Sequence, residues 1–481
     1  MRDWVDEDHL AWFVIDVVGE LDTSALHRRP GGAVGRRPYE PEMLCALVLY
    51  AYCVGVRSSR RIEDACRTDA AFRVICGGLV PDHATIARFV VDQERALEGL
   101  FVEGLRLCAA AGLCDLSVVA LDGTKMAADA ALDRNRDAAW IRREIAKLLS
   151  LTAAGEAPEP LPGARADAVG AGPAGPGGRL GRLRAALAVI EAEEAAAREA
   201  AREQAGALSE AARRGRAPHG RPPKDPLAAL ERARAAHEAA LAREQAEREA
   251  ARPGGSARAA RRVRKAAAAL AAAEQAAAKA EPASARQANV TDPDSRIMKA
   301  PGGWVQGYNA QAIANRHQIV LACDVSQQGA DTTLYEPMTT KLADTLAAAG
   351  VTGTVGLMLA DAGYWSHDNA AAPGPERLIA TTSSHQQRRA AQQLGPASSP
   401  PPAGATPEAA MQHRLRTPEG AAAYAQRSCT IEPVFGDCKH NRAMRGFRRR
   451  GLPAAQSEWT FMHLAHNLGK LREHRTATAT A

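Results

Sequence analysis

Two short apolar runs, LSVVAL at 116–121 and VGLMLA at 355–360, each end on an aspartate that is followed within two residues by glycine. Runs of this length, the first of them β-branched, read as buried strands rather than helices. An aspartate just past such a strand, with glycine behind it, suits a carboxylate held rigidly while the backbone turns away. In open α/β sheets reactive groups gather at strand ends, where side chains leave the core for a crevice. Asp122 and Asp361 lie 239 residues apart in the chain and are expected at neighbouring strand ends.

Further strand signals fall at Trp304–Ala314, at His317–Val325 as a near-continuous apolar run, and at 378–382, with a helix from 334 to about 349. The expected order of strand, insertion, strand, strand, helix, strand, strand, loop and helix is that of a mixed sheet flanked by helices. Residues 1–30 read as irregular. From Glu40 helical periodicity begins, with helices over 43–55, 59–71 and from Asp82, either a helix-turn-helix arrangement or a plain bundle.

Between the two aspartates, residues 133–288 are rich in Ala, Arg and Glu, broken by Gly/Pro clusters at 155–179, 216–226 and 253–255. The apolar share of the chain is 46%, yet only 4% is aromatic. Alanine makes helices readily and cores poorly. The segment is therefore expected as an insertion of long helices, 180–214, 226–251 and 256–281, on flexible linkers. Residues 385–418 are expected as a loop insertion, and helices near 419–443 and 455–473 close the chain.

The formal net charge is +6, but its pattern says more: Lys439 to Arg450 holds six Lys/Arg and no acid. That strip is a candidate phosphate-facing surface or a solvated basic face. The nine cysteines form no CxxC pair, so neither a disulfide framework nor a zinc site is expected, although Cys429, Cys438 and His440 lie close in sequence. The first residues, MRDWVDEDHL, lack a signal-peptide core, and the longest apolar run, Met43–Val56, is too short to span a bilayer. A soluble intracellular protein is expected, with no membrane partner.

A third acid, Glu432 in SCTIEPVFGDCK, is expected at the start of a helix whose buried face carries Ile431, Val434 and Phe435. Three converging carboxylates cannot all stay ionised without cations between them. All-oxygen ligand sets favour Mg²⁺ or Mn²⁺, and a pair of such ions is the general device of phosphodiester chemistry. Arg427, Lys439, Arg442 and Arg445 around Glu432 suit a polyanionic substrate. Asp324 and Asp331 compete with Asp361 as second carboxylate; Asp129 and Asp368 read as surface residues. Trp365 either packs or stacks on an unpaired base.

The ordered set resembles the DDE transposases of bacterial insertion sequences. PEMLCALVLYAYCVGVRSSRRIEDACR and PDHATIARF are similar to that family's helical N-terminal domain. TDPDSRIMK, VQGYNAQ and HQIVLACDV are similar to its strands between the first and second Asp, and ADAGYWS to its second-aspartate motif. Tyr424, Arg427, Glu432 and Lys439 resemble its Tyr-Arg-Glu-Lys signature, and FRRRG with EWTFMHLAHNLGKL its C-terminal end. Four residues separate Arg427 from Glu432 where the signature has three; the six before Lys439 agree.

The resemblance implies a ribonuclease H-like α/β catalytic domain at 111–132 and 289–481, an all-α DNA-binding domain at 1–110, and the helical insertion at 133–288. It implies Asp122, Asp361 and Glu432 as catalytic and metal ligands, two Mg²⁺ or Mn²⁺ ions, and phosphate contacts from Tyr424, Arg427 and Lys439. The implied activity is cleavage at element ends and strand transfer into target DNA. Terminal inverted repeats and target DNA are the implied partners, with a homodimer on paired ends, in the bacterial cytoplasm at the nucleoid. The alternative is a catalytically inactive, transposase-derived DNA-binding protein or repressor. A coiled-coil scaffold would explain 133–288 but not the strand-end acids.

Overall fold

The first surprise comes before Glu40. Val14, Val17 and Val18, with Ala11, are buried at three-to-four spacing, so α1 spans Leu10–Glu20, capped by His9, whose ring accepts from the Ala11 N–H. The expectation of an irregular N-terminus is corrected for this stretch. The computed structural model describes residues 2–27, 39–154, 178–213, 226–249, 255–279, 286–383, 386, 389, 393–398, 400–401 and 403–479. After α2 (Pro41–Cys53), the expected single helix over 59–71 is two, α3 (Ser59–Thr68) and α4 (Ala70–Ile75). Asp69 makes the break, because its carboxylate accepts from the N–H groups of Ala71 and Phe72 as an N-cap. Asp82 caps α5 (His83–Asp92) likewise, and α6 (Glu94–Ala110) follows.

The strand β1 (Val118–Ala127) continues five residues past Asp122, where LSVVAL suggests that it ends. Beyond it the described residues of 135–293 form a compact unit of their own, and those of 1–134 and 294–481 form the other. The first of these pairs β2 (Asn135–Asp137) with β3 (Gln287–Asn289) antiparallel, and carries α7 (Ala138–Ala153), α8 (Arg179–Arg213), α9 (Pro226–Glu249) and α10 (Gly255–Lys279). Ile141, Leu148, Leu183, Ile190 and Val290 make its small core, while in α9 Leu230, Ala235, Ala239 and Ala240 are buried, mostly alanines. Most of the expected linker residues lie outside the described ones.

In the other unit β4 (Arg296–Ala300) and β5 (Gly303–Asn315) form a hairpin, followed by β6 (Val320–Ser326), α11 (Tyr335–Ala348), β7 (Leu357–Ala360), α12 (His367–Ala371) and β8 (Glu376–Ile379). Then come α13 (Pro407–Arg416), α14 (Pro418–Gly436), a π-helical turn Asp437–Asn441, and α15 (Leu452–Ala479). Part of the expected loop at 385–418 is thus helical: Thr406 caps Pro407 at the first turn of α13, a strong start signal inside a Pro-rich stretch.

The sheet is mixed. β1 runs antiparallel to β5 and parallel to β7, and β7 parallel to β8. Ala310 faces Thr124 on one side and Val325 on the other, so β6 and β1 flank β5, and the order is β6-β5-β1-β7-β8, with β4 beside the first part of β5. Gly307 is needed where β1 and β5 approach: a Cβ there would stand 2.1 Å from the Met126 carbonyl oxygen.

Helix α15 is the spine of this unit, buried from Ser457 through Leu468. The Trp459 indole donates to the Gln311 carbonyl (2.9 Å), fixing the helix to the middle of β5. Asn467 clamps β6: its side-chain oxygen accepts from the Val320 N–H (2.8 Å) and its amide donates to the Val320 carbonyl (2.9 Å). Asn467→Ala strips both bonds from a buried backbone group, which costs about 2–4 kcal/mol at the usual penalty for unpaired buried polar atoms. Urea unfolding followed by far-UV circular dichroism should show that loss as a lowered midpoint; an unchanged midpoint would contradict the clamp.

Candidate active site

Parallel pairing of β1 with β7 sets Leu121 opposite Ala360, so Asp122 and Asp361 come next to each other. β7 ends there, but β1 runs on to Ala127 with Asp122 opposite Ala312 of β5, so the expectation of Asp122 at a strand end is corrected. The two behave as neighbours electrostatically. The Asp122 carboxyl is pushed up to about 6, first by burial, with Asp361 adding to the rise and Arg427 opposing it. Asp361 is raised chiefly by burial, even though its Oδ1 accepts from the Gly363 N–H (2.9 Å).

Strand alternation then divides what surrounds them. Asp122 and Thr124 point to the side of the sheet covered by α14. Arg427 Nη1 donates to Asp122 Oδ2 (2.8 Å), and its Nη2 lies 3.6 Å from Glu432 Oε1. Lys439, in the π-helical turn, donates to the Thr124 hydroxyl. Tyr424, one turn before Arg427, is half-buried beside it, and burial raises its phenol. Tyr424, Arg427, Glu432 and Lys439 thus belong to one segment lying along the middle of β1, at Asp122 and Thr124. Glu432 does not start its helix as expected: α14 begins fourteen positions earlier at Pro418, where Thr417 supplies the cap, and the Glu432 side chain is 59% exposed.

Gly123 and Lys125 point to the other side, where a polar cluster escaped the sequence reading. Asp331 Oδ1 accepts from Lys125 Nζ (3.0 Å), Asn309 Nδ2 (2.7 Å) and Gln311 Nε2 (3.1 Å). Tyr364, fully buried, donates its hydroxyl to Gln311. The signal was present in β5, where Asn309 and Gln311 are polar residues two apart in an otherwise buried strand.

Other expected site residues lie elsewhere. Arg442 is buried, with Nε on Asp437 (2.7 Å) and Nη1 on the Cys53 carbonyl (3.1 Å), so it ties the π-helical turn to α2 instead of facing a ligand. Arg449 pairs with Glu94 (3.2 Å) and Arg450 with Asp129 (3.0 Å), which leaves the basic strip largely committed within the protein. Arg445 is exposed, and Trp365 packs half-buried against the core with its ring near His367. Asp324, raised by burial, bonds the Val325 N–H, and Asp368 is exposed. Cys429 and His440 are exposed while Cys438 is buried against His463.

Among the described residues no three His, Cys, Asp or Glu side chains stand close enough to hold an ion between them. As the side chains lie, Arg427 parts Asp122 from Glu432. The donor chemistry nonetheless fits a hard divalent cation. Asp122 and Asp361 are adjacent oxygen donors, both driven toward the neutral form, so positive charge is what the pair lacks.

Comparison with known proteins finds two family matches. Residues 1–92 match a family described as "Transposase domain (DUF772)", and residues 402–472 one described as "Transposase DDE domain". The second match takes in α14, the π-helical turn and most of α15. No curated protein and no solved structure matches. No helix of the described residues is long and apolar enough to cross a membrane.

The raised Asp122 carboxyl has a stability consequence. Between its ordinary value of 3.8 and about 6, the folded state binds more protons than the unfolded one, so stability falls as pH rises through that window. Asp122→Asn removes this dependence. In EDTA the variant should be more stable than the parent at pH 7.5, by on the order of 2 kcal/mol, and nearly equal to it at pH 4. Thermal unfolding at the two pH values checks this; a variant less stable than the parent at pH 7.5 would refute the burial argument.

Proposed function

We propose that this chain is an insertion-sequence DDE transposase that cleaves DNA at element ends and joins them to target DNA beside Asp122 of β1 and Asp361 at the end of β7. The observation that carries the reading is the pairing of Asp122 and Asp361 with one segment that brings Arg427, Glu432 and Lys439 over them. The mixed order β6-β5-β1-β7-β8 supports a ribonuclease H-like sheet.

In this reading Asp122, Asp361 and Glu432 hold divalent cations, Mg²⁺ or Mn²⁺. When bound, such a pair supplies activation of the attacking oxygen and stabilisation of the leaving one. The chain's own residues do the rest. Arg427 has five N–H donors, of which the carboxylates engage two groups, so its fork can also take a phosphate oxygen beside Asp122. Lys439, half-buried and held by Thr124, places a second cation on the same side for the scissile phosphate. Tyr424 adds a neutral hydroxyl, since its raised phenol keeps its proton. The helices of 1–110 bind the terminal inverted repeats, and 133–288 is an insertion outside the catalytic domain of 111–132 and 289–481. A homodimer on paired ends completes the proposal.

The test is Asp361→Ala, assayed for cleavage of labelled element ends in Mg²⁺, with end binding followed by mobility shift. Binding should persist while cleavage falls by about a thousandfold, the scale of several kcal/mol of lost charge stabilisation. Undiminished cleavage would sink the assignment. A parent protein that binds ends and never cuts them would favour the non-catalytic repressor.

A further inference from the structure

Asp331 lies outside the three acids assigned above, yet it faces Asp361. It precedes the short turn Thr332–Leu334 that leads into α11. The Thr332 hydroxyl donates to the Gly363 carbonyl (2.9 Å), tying this turn to the one that carries Asp361. A Cβ on Gly363 would stand 3.0 Å from Asp361 Oδ1 and 3.1 Å from Asp331 Oδ2, so the two carboxylates meet across a glycine.

Between them stands one flexible cation. Lys125, on β1, is in an electrostatic field from both acids: it lowers Asp361, while Asp331 raises it. Its ion pair, however, is with Asp331 at 3.0 Å. Asp331 is well fixed for that task, because Asn309 and Gln311 donate to the same oxygen and Tyr364 holds Gln311 in turn. A lysine side chain is long and rotatable, and an ammonium without its counter-ion moves to the next carboxylate within reach. Here that carboxylate is Asp361.

We propose that Asp331 is a positioning residue: as counter-ion of Lys125 it holds the ammonium away from Asp361 and leaves that carboxylate open to a divalent cation. The inference rests on the reading of Asp361 as a cation ligand. Groups one step from a ligand set commonly alter metal affinity ten- to a hundredfold, by orienting ligands and setting local charge.

The experiment measures Mn²⁺ binding to the full-length protein, from the electron paramagnetic resonance signal of free Mn²⁺, without DNA. Asp331→Asn keeps an acceptor oxygen for Asn309 and Gln311 but removes the charge. It should weaken Mn²⁺ binding about tenfold. Adding Lys125→Met to it should restore affinity to near that of the parent, which a merely structural role for Asp331 would not allow. Unchanged binding in Asp331→Asn, or a loss that Lys125→Met does not reverse, overturns the proposal. Should Asp331→Asn not fold, Lys125→Met alone decides: it should bind Mn²⁺ at least as tightly as the parent, and weaker binding overturns the idea. Asp361→Ala, run beside them, separates the two levels. If it retains parental Mn²⁺ affinity, the reading of Asp361 as ligand has failed, whatever Asp331 does.

Discussion

The four-residue parallel ladder between β1 and β7 is the contact on which everything else in the site depends. Leu121 opposite Ala360 sets Asp122, within β1, beside Asp361, just past the end of β7, with little water around them. Two carboxylates so placed repel one another and lose hydration together. The surrounding chain answers with cations, but from two directions. Arg427 and Lys439 come from α14 and its π-helical turn on one side, and Lys125 from β1 itself on the other. Each arrives with a partner that limits how far it neutralises the pair: Glu432, Thr124 and Asp331 respectively. The three cations therefore offset the charge of the paired carboxylates only in part.

What was legible in the sequence follows from which signals are local. Asp122 and Asp361 stand out because an apolar run followed by an acid and a glycine is written in a few consecutive residues; that β1 runs on past Asp122 to Ala127 is not written there. The central strands and the helix before β7 were legible for the same reason. Glu432 reads as the start of a helix, although the helix expected near 419–443 begins within a residue of Pro418; in the fold Glu432 lies fourteen residues past that start. The first strand of the β4–β5 hairpin, RIMKA, is visible only through the resemblance of TDPDSRIMK, though Pro301-Gly302-Gly303 marks the turn. Asp331 reads only as a competitor of Asp361 for the second carboxylate, with no sign of its partners. It sits in a loop, and only Asn309 and Gln311, pointing at it from a neighbouring strand, show what it holds.

The basic strip at 439–450 teaches the reverse lesson. A run of like charges says that the segment is polar, not which way each side chain turns. In the fold Arg442 goes inward to Asp437 and the Cys53 carbonyl, and the same Asp437 carboxylate, held well below its usual range, also bonds His466 of α15. Arg449 and Arg450 find acids 300 or more residues distant in sequence. Burying such groups is costly unless each is paired, so their contribution is to fix how the turn after α14 seats against α2 and α15. That seating is what aims Lys439 at Thr124.

The one discord in the motif, four residues between Arg427 and Glu432 in place of three, becomes intelligible from helix geometry. Five positions along an α-helix turn a side chain by about 140° relative to the first, so the two residues do not share a face. A short side chain at 427 could not serve both Asp122 and Glu432; the long fork of arginine does, with one nitrogen for each. Pro433, directly after Glu432, adds to this. It has no N–H to give to the Cys429 carbonyl, and that carbonyl accepts instead from Gln318, a residue held at a positive φ of 60° between β5 and β6. The helix is therefore tied to the sheet at the turn where Glu432 leaves it. An extra residue in the spacing is tolerated because the register of α14 is set by that tie and by the Arg427–Asp122 bond, not by the count of residues between arginine and glutamate.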